Sequence, residues 1–376
     1  MDQVESGGYG LWGAEHLLPA ELHWKLLALL GLGLLGLVSL IFIAPAMLPG
    51  AGSTGVHVSR LVYPAAFLRG IDGPTDGAWT VPADAVTVGD DTFVLDTGNN
   101  RIFRLGLDGA TLATWGTQLD SANSLQMPMA IATNGKQLFV ANSLGAEVLV
   151  LDLSGKVKKT IALPAGVSGK AARPIGIAAT HDGGLVVSDA NNHQVLRYDK
   201  KWNVVWTAGT GTRAGGAEGF NVPGAVALDD DGNVYVVDTL GARVVKLSAA
   251  GAFLRQFGER GDTVGKLSRP KGVAVDHDGR IFVSDGLLAA VEVFAPDGSY
   301  LGLIGRRDPR KVNSTTLFVA PAGLSITPDT LTVTDRYAGV LTFDLTGKRH
   351  AATIPTQAAN IASPTPGYAG TPAHGH

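Results

Sequence analysis

The stretch PIGIAATHDGGLVVSDANNHQVLRYDKKWNVVWTAGTG, residues 174–211, points most directly to the fold of this chain. Short runs rich in Val, Ile and aromatic residues alternate in it with turn signals such as HDGG, ANNH and DKKWN. The turns recur about every eight to ten residues. This pattern is typical of short antiparallel β-strands joined by tight turns. The stretch therefore predicts four strands in succession.

The same four-strand unit recurs six times. Each copy begins with a proline and has an acidic or amide residue 14 or 15 positions later, where its second strand ends. The pairs are Pro82 and Asp96, Pro128 and Asn142, Pro174 and Asp189, Pro223 and Asp238, Pro270 and Asp285, and Pro321 and Asp335. Successive prolines are 46, 46, 49, 47 and 51 residues apart. A period of 40 to 50 residues with four strands per unit predicts a β-propeller. We expect an all-β, six-bladed propeller over residues 57–353.

Several segments resemble a known repeat family. They are PADAVTVGDDTFVLDTGNNR at 82–101, PGAVALDDDGNVYVVDT at 223–239 and PKGVAVDHDGRIFVSDG at 270–286, with the fourth-strand endings FLRQFG and YLGLIG. All of them resemble NHL repeats, and the resemblance covers about residues 57–350. It implies four-stranded antiparallel blades around a central channel. It implies no particular function, because propellers host many unrelated activities.

Composition excludes several classes of function. The 376 residues carry a net charge of −3, and 17% of them are charged, so no strong field favours nucleic acid as a partner. The chain has no cysteine, which excludes disulfides, thiolate metal sites and covalently attached haem. Its 50 glycines suit a protein built from many tight turns.

Residues 26–48, which follow a leader at 1–25, predict a membrane anchor. Their sequence, LLALLGLGLLGLVSLIFIAPAML, carries no charge. As a helix it would be about 34 Å long, enough to cross a hydrocarbon core of about 30 Å. A cleaved signal peptide with Ala44 and Ala46 at its end is the alternative, but the apolar run is longer than is usual there. We expect a single-pass anchor in the lipid bilayer of the plasma membrane.

The anchor contains Gly31, Gly33 and Gly36, a formal match to the GxGxxG dinucleotide motif. The strand, crossover unit and acidic residue that a nucleotide site requires are missing from its surroundings. These glycines instead favour packing against another membrane helix.

Lys25 precedes the segment while Arg60 and Arg69 follow it, and N-terminal anchors usually leave the following domain outside. The propeller is therefore expected on the periplasmic or extracytoplasmic side.

The remaining segments frame the propeller. Residues 49–56 read as a flexible linker, and residues 354–376, rich in Pro, Ala and Thr, as a disordered tail. Residues 57–69 resemble the third and fourth strands of a later unit, and would close the ring by pairing with the last blade. Residues 347–355 could occupy the same edge. The sequence leaves these two alternatives open.

No catalytic, cofactor or metal site is evident. At the start of the six innermost strands, where propeller enzymes of the lactonase and amidating-lyase type hold their catalytic groups, most residues are apolar or small, and Asp84 is the one carboxylate. A hard cation needs several converging oxygen ligands. His181 and His277 fall in equivalent turns two blades apart, and His193 falls at the opposite end of its blade. We therefore expect no metal, no cofactor and no catalytic residues.

The loops after the second strands form the candidate partner face. Their composition of Asn, Arg, His, Tyr and exposed Leu suits protein contact. The candidate residues are Asn99, Asn100, Arg101, Asn191, Asn192, His193, Leu240, Arg243, Leu287, Leu288, Arg336 and Tyr337. The alternative for the leucines is packing against neighbouring blades. A basic loop could meet an acidic partner or lipid head groups, and it contains Arg306, Arg307, Arg310 and Lys311.

The expected function is a non-enzymatic, membrane-anchored binding or scaffold propeller, an accessory subunit whose partners are other subunits of a membrane protein complex. Two alternatives are an extracytoplasmic sensor or carrier of a small molecule, and a hydrolase or lyase of the lactonase or peptide-amidating type. The recurrent Asp96, Asp189, Asp238, Asp285 and Asp335 do not support an enzyme. Each ends a strand, where a carboxylate caps backbone N–H groups of the adjoining loop.

Overall fold

The computed structural model describes residues 63, 65–73, 79–167, 169–217, 219–263, 265–305 and 317–347. These residues form six antiparallel sheets of four strands each. The arrangement confirms the predicted all-β, six-bladed propeller. Every proline that opens a repeat is the first residue of the innermost strand of a blade, and it is paired with the residue that ends the second strand.

The first three blades run in chain order from the inside outward. Blade one is made of β2 (Pro82–Val88), β3 (Asp91–Asp96), β4 (Arg101–Leu105) and β5 (Thr111–Trp115). Blade two is made of β6 (Pro128–Thr133), β7 (Gln137–Asn142), β8 (Glu147–Asp152) and β9 (Val157–Ala162). Blade three is made of β10 (Pro174–Ala179), β11 (Leu185–Asp189), β12 (Gln194–Tyr198) and β13 (Val204–Ala208).

Blades four and five repeat this order, and blade six borrows a strand. Blade four is made of β14 (Pro223–Leu228), β15 (Val234–Asp238), β16 (Arg243–Leu247) and β17 (Phe253–Phe257). Blade five is made of β18 (Pro270–Val275), β19 (Ile281–Asp285), β20 (Ala290–Phe294) and β21 (Tyr300–Ile304). Blade six is made of β22 (Pro321–Ile326), β23 (Thr330–Asp335), β24 (Gly339–Asp344) and, on its outside, β1 (Ala66–Ile71).

The core of the propeller lies between blades. All five residues of β15 are buried, whereas four of the five in β17 are exposed. Middle strands are covered on both sheet faces by the neighbouring blades, so they read as continuous apolar runs. Phe139 of blade two and Val187 of blade three belong to one such interblade cluster. Burial of this kind is the main force that holds neighbouring blades together.

The strand directions give the disc two different faces. Second strands end, and third strands begin, on the same side as the connections between blades, as Asp285 paired with Ala290 illustrates. We call this side the loop face. The opposite side carries the turns between first and second strands, such as HDG at 277–279, and we call it the turn face.

The ring closes through its first strand. β1 pairs with β24 in antiparallel register from Ala66 opposite Asp344 to Ile71 opposite Val340. The rings of Phe67 and Phe343 meet edge to face at 5.8 Å between centroids. Since β23 lies on the other side of β24, both edges of β24 are occupied by described strands. The N-terminal segment is therefore the one that closes the ring, with its strand at 66–71.

Several expectations fall on residues outside the described ranges. These are the leader, the anchor at 26–48 with Gly31, Gly33 and Gly36, the linker, the basic residues Arg306, Arg307, Arg310 and Lys311, and the tail at 354–376. In the ranges that the structure does describe, no helix has the length and apolar character that crossing a bilayer requires.

Replacing Phe67 with alanine should destabilise the whole ring. Phe67 is 8% exposed and packs in the cluster that joins blades five and six. Truncating a buried Phe costs about 3 to 5 kcal/mol, measurable by urea unfolding. Leu254→Ala is the matched control, because Leu254 also lies in an outer strand but is 48% exposed. Equal losses in the two variants would contradict a special role for β1.

Candidate functional site

Buried carboxylates hold the backbone of the loop face in place through hydrogen bonds. Asp285 is fully buried at the end of β19. Its Oδ2 accepts the backbone N–H of Ser268 at 2.6 Å and of Arg269 at 2.9 Å, in the connection that enters the blade. Its Oδ1 accepts the N–H of Leu287 and of Leu288, both at 3.0 Å, in the following loop. One carboxylate thus fixes both the entering connection and the loop of blade five.

The same arrangement recurs in other blades. We call the residue that ends each second strand the cap of its blade. The caps of blades one, three, four and six also accept N–H groups of the connection that enters the blade, and these caps are Asp96, Asp189, Asp238 and Asp335. All four are fully buried. This confirms the capping role expected from the sequence. The desolvation cost of each carboxylate is offset by its hydrogen bonds. These acids therefore have a structural role.

Blade two uses an amide in place of the acid, and the reason lies five residues further on. Asn142 accepts the N–H of Gln126 at 2.6 Å and donates its amide to Glu147 Oε1 at 2.8 Å. In blades one and four the corresponding partner is an arginine, Arg101 or Arg243, which donates to the carboxylate. An acid at position 142 would place two carboxylates in contact. The amide is therefore the residue that fits beside Glu147.

Large apolar side chains recur on the loop face at the same position in four of the six blades. The residue two places after the cap is Leu144, Leu240, Leu287 and Tyr337 in blades two, four, five and six, with exposed fractions of 63%, 47%, 64% and 61%. In blades one and three that position holds Gly98 and Asn191. Leu144 was missed in the sequence analysis, although its distance from Asn142 would have identified it. Exposed apolar side chains that repeat on one face suit protein contact.

The structure divides the predicted partner-face residues into three groups. Leu240, Leu287, Asn99, Asn191, Arg336 and Tyr337 are exposed, while Asn100, Arg101 and His193 are half-buried. Asn192, Arg243 and Leu288 are buried, at 0%, 7% and 8% exposure. Asn192 and Arg243 were expected to face a partner, and their burial contradicts that expectation, whereas Leu288 follows the alternative of packing inward. Arg243 binds Asp238 at 3.0 Å and Asn192 binds Asp189 at 2.6 Å, because the caps draw polar neighbours inward.

The loop-face end of the channel carries positive charge. Lys271, at the start of β18, has a pKa below its usual range because burial removes water and because Arg269 and Arg336 repel a further cation. The guanidinium of Arg336 also lies over the ring of Tyr337, 5.5 Å from its centroid. These cations and the apolar ring share one face.

At one level of the channel, every innermost strand except the first contributes a small residue, and the first contributes Asp84. At the level of Asp84 the other five innermost strands supply Ala130, Gly176, Ala225, Gly272 and Gly323. Asp84 Oδ2 accepts the N–H of Ile131 in blade two, and Oδ1 accepts that of Ala85, both at 3.0 Å. A Cβ at Gly323 of blade six would collide with this carboxyl. Asp84 thus touches the blades on both sides of its own.

Burial dominates the electrostatics of Asp84. It raises the pKa of this carboxyl from 3.8 to about 7, although the two backbone N–H groups favour the charged form. A carboxyl with such a pKa can gain or lose a proton near neutral pH. Both of its oxygens are occupied by backbone donors, so the arrangement favours an interblade clamp over proton transfer to a ligand.

The histidines are separated as the sequence predicted. His193 lies on the loop face, where its Nδ1 is 2.7 Å from the carbonyl oxygen of Asn221. His181 and His277 both lie at the opposite end of the channel, on the turn face. Within the described residues, no group of three or more His, Cys, Asp and Glu side chains is placed to hold a metal ion.

Comparison with known proteins identifies the repeat. The NHL repeat family matches residues 172–198, which contain β10, β11 and β12. A search of curated proteins gives no match.

Solved structures share the fold at low identity. A protein of unknown function from Bacteroides thetaiotaomicron is 16% identical with a TM-score of 0.55, over 76% of this chain and 73% of the other. A proposed gluconolactonase is 18% identical with a TM-score of 0.52, over 75% and 93%. A catalytically inactive virginiamycin B lyase from Staphylococcus aureus, solved with quinupristin, is 14% identical with a TM-score of 0.51, over 75% and 98%. These similarities establish the propeller architecture.

Replacing Asn142 with aspartate should destabilise blade two. The new carboxylate would face Glu147 Oε1 across a 2.8 Å contact that is now a hydrogen bond. Two carboxylates at that distance should cost about 2 kcal/mol or more of unfolding free energy. Adding Glu147→Gln should restore the part of the loss that the carboxylate pair causes, which a double-mutant cycle from urea unfolding would measure, while the lost bond from the amide to the Ser124 carbonyl would remain. A neutral single variant would contradict the proposed pairing.

Asp84 should make stability depend on pH. Its folded pKa of about 7 exceeds the ordinary value of 3.8, so the folded state keeps a proton that the unfolded state releases between these pH values. The contribution of this group is therefore full below about pH 4 and is lost as pH rises toward 7, about 2 to 4 kcal/mol in all.

The matched variant is Asp84→Asn, which retains an oxygen acceptor but cannot titrate. The difference in unfolding free energy between wild type and variant, measured from pH 4 to pH 8, isolates this carboxyl. We expect that difference to change most between pH 4 and pH 7. Parallel pH curves for the two proteins would refute the raised pKa.

Proposed function

We propose that this propeller is a non-enzymatic protein-binding module that contacts its partner through the loop face. The observation that carries the proposal is the apolar residue repeated two places after the cap in four of the six blades. The exposed fractions of Leu144, Leu240, Leu287 and Tyr337 range from 47% to 64%. Isolated exposed leucines are common in proteins. Their recurrence at one structural position on one face supports a shared role in contact.

The backbone beneath these side chains is rigidly placed. The N–H of Leu287 and the N–H of Tyr337 each bind a buried carboxylate, at 3.0 Å and 2.9 Å. A partner that packs on the loop face would therefore lose little loop entropy on binding. Preorganisation of this kind favours affinity by lowering the ordering cost.

Charge favours an acidic partner. Burial lowers the pKa of Lys271, and Arg269 and Arg336 lie close enough to lower it further. An acidic patch on the partner would relieve this repulsion. Complementary charge would also speed association, more strongly at low salt.

The membrane part of the proposal rests on sequence. We propose that residues 26–48 anchor the protein in the plasma membrane and that Gly31, Gly33 and Gly36 pack against a helix of the partner complex. The propeller would then act on the extracytoplasmic side as an accessory subunit. The uncharged 23-residue run and its length support this arrangement.

A pair of double variants tests the loop face. Leu240→Glu with Leu287→Glu should reduce stoichiometric co-purification of a partner from native membranes in mild detergent by at least about tenfold, since two buried apolar contacts would become buried charges. The readout is quantitative mass spectrometry of the tagged, full-length protein.

The control is Leu254→Glu with Leu301→Glu, which changes leucines of the same two blades, 48% and 37% exposed, on outer strands. The control should retain the partner, and thermal unfolding should confirm that both proteins fold. Equal loss in both variants, or no stoichiometric partner of the wild type, would overturn the proposal.

A hydrolase or lyase is the competing function. The lyase and lactonase names belong to structural neighbours that are 14% and 18% identical to this chain. Turnover of a lactone or of quinupristin by the purified protein, lost in Asp84→Asn, would make the channel an active site and overturn the non-enzymatic proposal.

A further inference from the structure

A cavity of about 850 Å³ opens on the turn face, at the end of the channel away from the proposed partner face. All six innermost strands contribute to its lining, and the turns of blades three to six contribute to its rim. Its volume lies in the range of about 300 to 1,000 Å³ typical of small-molecule sites. A partner bound on the loop face would not contact this cavity.

The wall of the cavity is an apolar ring. Each innermost strand places at least one branched aliphatic residue in it, and the first of these along each strand are Val86, Ile131, Ile177, Val226, Val273 and Leu324. Smaller alanines, among them Ala132, Ala178 and Ala227, follow toward the rim. Most of these side chains are packed between blades, and Ile131, Ile177 and Val226 are only 2% to 7% exposed. The edges that reach the channel would contact the apolar body of a ligand and offer few hydrogen bonds to a polar one.

The rim of the cavity carries its charged side chains on one side and hydroxyl side chains on the other, and its net charge is negative. Blades three to five supply all of its titratable groups, which are His181, Asp230, Asp276, His277, Asp278 and Arg280. The opposite side carries hydroxyl residues, including Thr87, Thr133, Ser325 and Thr327. Three carboxylates stand against one arginine, so the rim has an excess of two negative charges when the imidazoles are neutral.

The arrangement of these groups leaves the negative charge exposed. Arg280 binds both Asp276 and, at 2.8 Å, Asp278 Oδ2. Asp278 nevertheless has 68% of its side chain exposed. Asp230 contacts His277 across the boundary between blades four and five and is 61% exposed. Both carboxylates therefore remain accessible at the mouth.

We propose that this cavity binds a small organic cation in which an ammonium or guanidinium group is attached to an apolar body. The apolar body enters the ring of Ile177, Val226 and Val273. The cationic group stays at the rim beside Asp230 and Asp278. An apolar wall below an acidic rim is complementary to this class of ligand and repels anions of the same shape.

The test uses benzyltriethylammonium as the probe and isothermal titration calorimetry of the full-length protein as the measurement. The cation should bind at least about tenfold more tightly than benzenesulfonate, which is an anion, and than tetramethylammonium, which lacks the ring. Equal affinity for the anion would show that the rim does not select charge. Equal affinity for tetramethylammonium would show that the wall is not used. Either outcome, or no binding at all, overturns the proposal.

Paired variants locate the site. Asp230→Asn with Asp278→Asn should weaken binding of the cation by about tenfold, because both rim carboxylates are lost. Asp231→Asn with Asp329→Asn is the control, since it removes the same charge from exposed positions of the turn face that do not line the cavity. Equal weakening in both would mean that the cation binds to the field of the whole face, and the cavity would not be its site. Retained partner binding in the rim variant would separate this site from the loop face.

Discussion

The buried carboxylate that ends the second strand in five of the six blades is the interaction on which the loop face depends. A cap such as Asp285 or Asp335 lies where three backbone segments meet: the connection entering the blade, the end of the strand and the following loop. Without an acceptor there, several N–H groups would be buried without partners. The cap therefore holds together elements whose other contacts vary from blade to blade. In blade two the same role passes to an amide because of one acidic neighbour.

Much of the architecture could be predicted from the sequence because the same pattern of residues recurs in every blade. Proline at the start of an innermost strand and an acid or amide at the end of the second strand recur at nearly constant spacing. Each copy reinforces the interpretation of the others, so blade number and strand order could be predicted. The capping role of the acids followed from their position alone. Closure by β1 was one of two alternatives, because the resemblance of residues 57–69 to a later blade does not show which segment is paired.

Exposure and contacts across blades could not be read in the same way. Leu287 and Leu288 are neighbours in one loop, yet one is 64% and the other 8% exposed. The difference arises from the loop conformation set by Asp285, which a strand pattern does not encode. Asp84 shows the same limit: its environment is made by Ile131 and Gly323, residues that are far from it in the chain and adjacent in the ring. The turn-face cavity likewise exists only once six strand ends are brought together.

The position of β1 bears on the order in which the protein can fold. It is the first strand of the propeller to be synthesised, but its partner β24 ends at Asp344, 278 residues after Ala66. The sheets of the other five blades pair only strands that are consecutive in the chain, whereas β1 has no partner until β24 has been synthesised. Pairings of such large sequence separation form slowly. During synthesis AFLRGI would be an unpaired apolar strand, the kind of segment that invites pairing with another copy of the chain. Closure of the ring by its first strand is thus also a step at which two chains could exchange strands.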